Sequence, residues 1–493
     1  MKKLEINSIS SMGGTPVHGC GAADSGLYGE TCSAGPGVQR GKDGVHVREV
    51  CDILIRDCRI LTGDFTIEEH VSVAVKDKII HAIGTPEELD QRFCAAEVLE
   101  ADGNLLMPGF IDGHTHTCQQ LLRGRTADEY PMIWTRFLVP FESSLSPEDV
   151  RASARLHCVE MIRAGITGFA DAGGVHMDQV AEAVMETGMR AALCPSTMDM
   201  GNVVCGEMKH SAEDCIRLTE ELHSRYQGAG DGRVDIWFGI RQLMTCSKEL
   251  IEKIVEKAEE LDTGIHMHLC EHKDEVSFCL QNYKMRPAAF LQSVGALSPR
   301  LLTAHNVLLT ERDITLLTDN GVHVIHCPMA NFINHGFPKV PSMLERGASI
   351  GIGCDGASNI ALDMFTQIRA LKAGVTAQWG LPVFDPVAVP NDQLLRMITL
   401  GGAQAIRHGD TLGVIEEGKT ADLIVMDVKG PHMRPTQRLL NAVVSSGNSH
   451  DILHTIIDGK LVMKDRQLVE LDEEKIIADA EQHMREINRK SGI

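Results

Sequence analysis

Eight times between Leu105 and Leu400, a short run of branched apolar residues gives way to a longer segment whose apolar residues recur every three or four positions. The short runs lie at 105–111, 166–171, 190–194, 234–240, 264–269, 301–304, 322–326 and 350–354. The helical patterns include 147–164, 176–187, 211–227, 247–261, 273–282, 310–319 and 361–377. Apolar runs of this length suit buried strands, and a 3.6-residue period suits helices with one covered face. A strand that is followed by a helix and then a parallel strand must cross over with a fixed hand. Eight such units close into a (β/α)8 barrel. An α/β protein with that barrel over residues 105–400 is therefore expected.

The flanks differ in texture. Residues 49–104 contain alternating runs such as Cys51–Leu61, Val71–Val75 and Lys78–Gly84, separated by turn residues. Strands return after Gly401: Leu412–Asp427 reads as strand, glycine turn, strand, and His454–Met463 as a hairpin with an Asp-Gly turn. Neither segment is large enough to close alone, so 49–104 and 401–470 are expected to pair as one flanking β-sandwich around the inserted barrel. Residues 471–493 read as a polar terminal helix. Ten glycines fall between Gly13 and Gly44; such a segment buries little on ordering, so 1–48 is expected to be a flexible extension.

In a barrel of this kind the C-terminal strand ends converge on one site. The first strand leads into His114-Thr115-His116, two imidazoles on one strand face. The fifth leads into His266-Met267-His268-Leu269-Cys270-Glu271, the sixth into Ala304-His305-Asn306, the seventh into His326-Cys327-Pro328 and the eighth into Gly353-Cys354-Asp355. Unpaired charge at five buried strand ends is costly unless something binds there. His114, His116, His268 and Asp355 are the expected ligands of one divalent ion of the zinc class, with water completing its shell. Such an ion brings the pKa of a bound water to about 7. Glu271 can reach the same centre only if the chain leaves its strand after His268; there it would carry a proton from water to a ring nitrogen or leaving amine. His305 suits either a donor to the reacting oxygen or a fifth ligand. Cys270 and Cys354, adjacent to these groups, read as core filler, and His323 as a satisfied core histidine.

Other classes are disfavoured by composition. A net charge of −21 repels nucleic-acid backbones and anionic membranes. Fifteen cysteines without CxxC pairs fit a reducing cytoplasm. No signal peptide is expected after Met1-Lys2-Lys3, and no run is long enough for a transmembrane helix.

The segments PGFIDGHTHT, HMHLCE, TAHN, HCPMAN, GIGCDGASN and GVIEEGKTADLIVMD together resemble the amidohydrolase superfamily, over about residues 50–465. The nearest resemblance is to triazine hydrolases, adenosylhomocysteine/methylthioadenosine deaminases and guanine deaminases. It implies a barrel with a flanking sandwich, one Zn2+ or Fe2+, and a homodimer or larger homo-oligomer. It also implies that Glu271 shuttles protons while His305 and Asp355 orient the hydrolytic water. Trp134 and Glu142 match a segment whose Glu reads ribose hydroxyls in the nucleoside deaminases. Those enzymes usually carry a His-Ala-Pro-Tyr-type stretch at the fourth strand, and here it is Ile240-Arg241-Gln242-Leu243. Arg241 is more like the guanine deaminases, in which an Arg meets the purine carbonyl, and Gln119 matches a Gln that reads the base. Residues 330–335 (Ala-Asn-Phe-Ile-Asn-His) also depart from the usual Ser-Asn pattern.

The sequence thus predicts hydrolytic deamination of an amino-substituted N-heterocycle, a guanine-like purine or a pterin, with water as co-substrate and ammonia as product. The alternatives are a nucleoside deaminase and a triazine chlorohydrolase. Cyclic-amide hydrolysis through two ions bridged by a modified lysine is disfavoured, because 234–240 contains no Lys. A metal-free scaffold would leave the ligand set without purpose.

Overall fold

The computed structural model describes residues 48–129, 133–201, 206–358 and 360–491; the expected glycine-rich extension, apart from Arg48, lies outside them. The first strands are β1 (Glu49–Leu61), β2 (Ile67–Lys76), β3 (Ile79–Gly84), β4 (Phe93–Glu100) and β5 (Leu105–Pro108). Next come β6 (Phe110–Thr115), β7 (Ile166–Gly174), β8 (Arg190–Pro195), β9 (Val234–Ile236) and β10 (Phe238–Ile240). They are followed by β11 (Ile265–Leu269), β12 (Leu301–His305), β13 (His323–His326) and β14 (Ser349–Ile352). The chain ends with β15 (Leu423–Met426), β16 (Ile452–Ile457), β17 (Lys460–Lys464), β18 (Gln467–Leu468) and a helix over Glu473–Ser491.

Two parallel sheets form the α/β part, in the orders β6-β7-β8-β9 and β10-β11-β12-β13-β14. The expected strand 234–240 is divided at Trp237, whose N–H bonds to Leu193 O at 2.8 Å while Phe238 N–H bonds to Gly264 O at 3.0 Å. Ile111, Ala192, Trp237, Leu302 and Ile325, drawn from both sheets, share one apolar cluster. Helices between the strands, such as Pro147–Arg163 and Lys248–Glu260, start at caps written in the sequence. Ser146 and Asp149 form a reciprocal capping box, and Ser247 accepts from Leu250 N.

The expected first strand, 105–111, is two strands. β5 pairs antiparallel with β15 and parallel with β1, whereas β6 pairs with β7. The break falls at Gly109, where a Cβ would run into the Thr167 side chain. β5 thus ties the N-terminal strands to β15–β18 in a single nine-stranded sheet. Its alternating inward residues, Ile53, Ile55, Val73, Val75, Leu106, Leu423, Val425 and Ile456, form a separate core. The hairpin turns at Asp458-Gly459 with both φ positive, the geometry an Asp-Gly pair favours. Leu412–Thr420 is not a strand: it runs as a loop beside β3, where Ile80 and Ile83 take their partners from Lys419 O and the Glu417 carboxylate. Beneath the parallel strands Arg190 donates to both oxygens of Asp422, at 3.1 and 3.2 Å, a buried tie between the two kinds of sheet. No helix among the described residues is long and apolar enough to cross a membrane.

Candidate active site

Period 2 along β6 directs Asp112, His114 and His116 to one face, and the same period on β11 directs His266 and His268. Four imidazoles and one carboxylate converge where these strands end. His114 Nε2 lies 3.2 Å from Asp355 Oδ1, His116 Nε2 3.6 Å and His305 Nε2 3.9 Å from the same atom. His268 Nε2 is 3.3 Å from His116 Nε2. Donor atoms of His114, His268, His305 and Asp355 all lie within 4.8 Å of one another. Each of these histidines is at most 5% exposed. His114 Nε2 and His305 Nε2 have no hydrogen-bond partner. Burial holds His114, His116 and His268 below the ordinary imidazole range, and the charges around them add to it for His116 and His268. Neutral imidazoles aiming lone pairs at one point, beside a carboxylate, make a donor set that fits a divalent ion.

Backbone geometry at the strand ends is unusual. Cys270, His305, Asn306 and Asp355 all have positive φ, a conformation that costs about 1–3 kcal/mol in non-glycine residues and clusters at functional sites. At Cys270 it turns the chain off β11, as required for Glu271 to follow His268 into the site. Gly353 is pressed against His114: a Cβ would sit 2.8 Å from both Cβ and O of that histidine. Asp355 N–H also bonds to His114 O at 2.9 Å. Cys270 and Cys354 are buried free thiols, as expected of core filler.

Glu271 Oε1 lies 3.1 Å from His335 Nε2 and 3.9 Å from His305 Nε2, and Oε2 accepts from Gln242 at 3.0 Å. Burial alone would raise the Glu271 pKa, but His305 and His335 together hold it well below the usual carboxylate range. Asn331 fixes a tautomer. Its amide N is 2.8 Å from His326 Nδ1, so its carbonyl is left to accept from His305 Nδ1 at 2.9 Å. His305 therefore holds a proton on Nδ1 and turns Nε2 toward the cluster.

Several contributors were not assigned roles from sequence. His266 Nε2 is 2.8 Å from His114 Nδ1 and orients that ring; its i, i+2 spacing from His268 was the available signal. Asp112 accepts from the N–H groups of His114 and Cys354, and burial pushes its pKa up to about 7. Gln242, His335 and Asn331 had no local signal. His323 lies apart, half-buried and 2.8 Å from Ser349 Oγ.

Gln119, Glu142 and Arg241 form a second group. Gln119 Nε2 donates to Glu142 Oε1 at 2.6 Å, Arg241 Nη2 lies 3.4 Å from Glu142 Oε2, and Arg241 Nη1 donates to Gly173 O at 2.9 Å. Glu142 is fully buried and its Oε2 has no hydrogen-bond partner. Trp134 is not tied into this group; it is half-buried and packs on the main core. Arg241, 2% exposed, is engaged by Glu142 and a backbone carbonyl.

The amidohydrolase family profile matches residues 105–462. The chain belongs to the amidohydrolase family and is a hydrolase acting on carbon–nitrogen bonds other than peptide bonds. It is 35% identical over 447 residues to a 5-methylthioadenosine/S-adenosylhomocysteine deaminase of Pelotomaculum thermopropionicum, covering 90% of this chain and 100% of that one. It is 33% identical over 445 residues to a 5'-deoxyadenosine deaminase of Methanosarcina mazei, covering 89% and 99%. Among solved structures, an adenosine deaminase from Xanthomonas campestris with bound zinc superposes with a TM-score of 0.84 at 29% identity, covering 90% of this chain and all of that one. These relatives favour the nucleoside deaminase alternative, and the expected guanine-like base gives way to it.

Proposed function

We propose that the protein is a hydrolytic deaminase of adenosine nucleosides altered at the 5′ carbon, the substrates that the names of its relatives describe. The observation that carries this reading is the convergence of His114, His268, His305 and Asp355, with His116 3.6 Å from the same Asp355 oxygen and with unpartnered buried nitrogens, beside the carboxylate of Glu271. His114, His116, His268 and Asp355 would hold one divalent ion, zinc or ferrous iron, which when bound supplies Lewis acidity that makes water nucleophilic at neutral pH.

The chain's own residues handle the protons. Glu271 takes one from the attacking water as the water oxygen bonds to C6 of the purine, and delivers it to N1, which has received the C6–N1 π pair. Glu271 next carries the second water proton to the exocyclic nitrogen. The C6–N bond then breaks, ammonia leaves, and C6 becomes a carbonyl. Asp355 and Nε2 of His305 orient the water. Glu142, with Oε2 free and Gln119 and Arg241 holding it in place, accepts from the ribose hydroxyls; Trp134 lines the approach.

We also read the two parallel sheets as one closed (β/α)8 barrel within 105–400. Support comes from the cluster they share, the single-residue step at Trp237 between β9 and β10, and the bond from Asp355 to His114. In this reading 49–104 and 401–470 form the flanking sandwich and 471–493 the terminal helix of a cytoplasmic homo-oligomer.

The test is ammonia release from 5′-methylthioadenosine, S-adenosylhomocysteine, 5′-deoxyadenosine, guanine, a pterin and a chlorotriazine. Conversion of the nucleosides to their 6-oxo products supports the proposal. Activity on guanine alone would restore the free-base reading, and chloride release alone the triazine one.

A further inference from the structure

The carboxylate of Glu271 is gripped from two sides by residues on different loops. Gln242 follows β10 by two residues and donates its amide N–H to Oε2 at 3.0 Å. His335 directly follows the helix Pro328–Asn334, after β13, and brings Nε2 to 3.1 Å from Oε1. Glu271 itself stands on a loop just past the left-handed Cys270. A side chain there has free torsions, and a proton carrier that must face water, N1 and the amine in turn is slowed by every unproductive rotamer.

The two contacts are not equivalent. Oε1 is the oxygen turned toward the metal-ligand cluster, 3.9 Å from His305 Nε2. Gln242 holds the opposite oxygen, and its own Oε1 is buried without a hydrogen-bond partner. His335 therefore bonds the oxygen that exchanges protons, while Gln242 anchors the one that does not. Residue 335 also ends the stretch in which this sequence departs from the pattern of its superfamily.

We infer that His335 is a positioning residue for the proton shuttle: its Nε2–H aims Oε1 of Glu271 at the reacting atoms, and Gln242 fixes the plane of the same carboxylate. The inference rests on the shuttle reading of Glu271. It requires that His335 act through Glu271 and make no contribution of its own to substrate binding.

The experiment uses the metal-loaded full-length protein and the best nucleoside of the panel. His335→Ala is expected to lower kcat by about 10- to 100-fold, the loss of one hydrogen bond to a charged group, with KM and metal content unchanged. His335→Gln, which keeps a neutral N–H donor of similar reach, should recover most of that loss. In a Glu271→Gln background, followed by single-turnover assays, His335→Ala should cost nothing further, because residues acting as a unit are non-additive. An unchanged kcat in His335→Ala, a loss expressed in KM, or an equal loss in the Glu271→Gln background would each overturn the inference. Failure of Glu271→Gln to impair turnover would instead remove the shuttle reading itself. If His335→Ala does not fold, His335→Gln and His335→Phe carry the comparison, with Phe expected to behave as the donor-less variant.

Discussion

Two clusters of buried polar groups sit at opposite ends of the parallel strands, and they are built on opposite principles. At the N-terminal end, Arg190 pairs with Asp422 and lies 3.5 Å from Asp458, which also receives Lys78 at 2.9 Å and Arg233 at 3.5 Å. The backbone N–H of Asp458 donates to Asp422 at 2.7 Å. Arg190, Arg233, Asp422 and Asp458 leave no buried side-chain atom without a partner. At the C-terminal end, His114, His116, His268, His305, Asp112 and Glu142 each leave one. Both clusters bear the cost of desolvation. The first offsets it within the protein, so its role is to join sheets. The second keeps buried polar atoms that the protein itself does not pair, as the proposed active site requires. Satisfaction of buried polar atoms, more than burial itself, separates structure from site.

The comparison predicts different responses to loss. Removing divalent metal with a chelator should abolish ammonia release and lower the thermal midpoint, both restored by adding zinc or ferrous iron, because an ion that binds only the folded state stabilises it. Unchanged turnover after exhaustive chelation would break the contrast. Glu271→Gln should cut kcat by about 10²–10⁴-fold, the usual worth of a positioned general acid–base group, while metal content and thermal midpoint hold; near-normal turnover would remove its role. Arg190→Ala should do the reverse. It leaves the buried carboxylate of Asp422 without a cationic partner, so stability falls by about 3–5 kcal/mol, read in denaturant unfolding, whereas turnover per folded molecule is retained. A drop in kcat with unaltered stability would mean that the two ends are not separable in this way.

How much of this was readable in the sequence follows from the range of each signal. Local periodicity carries the strand faces, so His114 with His116, the neighbourhood of His268 and the helical spans were legible. So was the condition that Glu271 needs a chain turning away from β11, which Cys270 meets. Strand partnership is not local. Nothing in Leu105–Ile111 signals that its first half pairs with β15, more than 300 residues later, or that contact with Thr167 forbids a side chain at Gly109. Leu412–Thr420 alternates like a strand, yet its partner edge, β3, is engaged mainly through backbone carbonyls and Glu417. The Arg241–Glu142 pair joins the loop after β10 to the end of the short helix Val139–Glu142, which meet only once the strands are assembled. The sequence alone does not signal that this guanidinium meets a carboxylate. His335 and Gln242 carry no local signal for the same reason, whereas His266 shares the i, i+2 spacing of His268.

The smallest effect tests whether the fully partnered mode of burial also holds away from the sheets. Asp149 occupies the first turn of the helix Pro147–Arg163, accepts from Ser146 N and Oγ at 3.0 and 2.9 Å, and meets His483 Nδ1 of the terminal helix at 2.7 Å. Burial opposes its ionisation, but the hydrogen bonds from His483 and Ser146 outweigh that and leave its pKa below the ordinary aspartate value. A carboxylate depressed on folding contributes stability that is whole above its unfolded pKa of about 3.9 and is lost as pH falls through the lower folded value. The acid limb of the stability profile should therefore include a contribution from Asp149 below about pH 4. Asp149→Asn keeps an acceptor for the cap but not the charge, so it should cost about 1 kcal/mol at neutral pH and converge with the parent protein as both are acidified. If the two profiles stay parallel through that range, the terminal helix is held by its apolar face alone and His483 is a bystander.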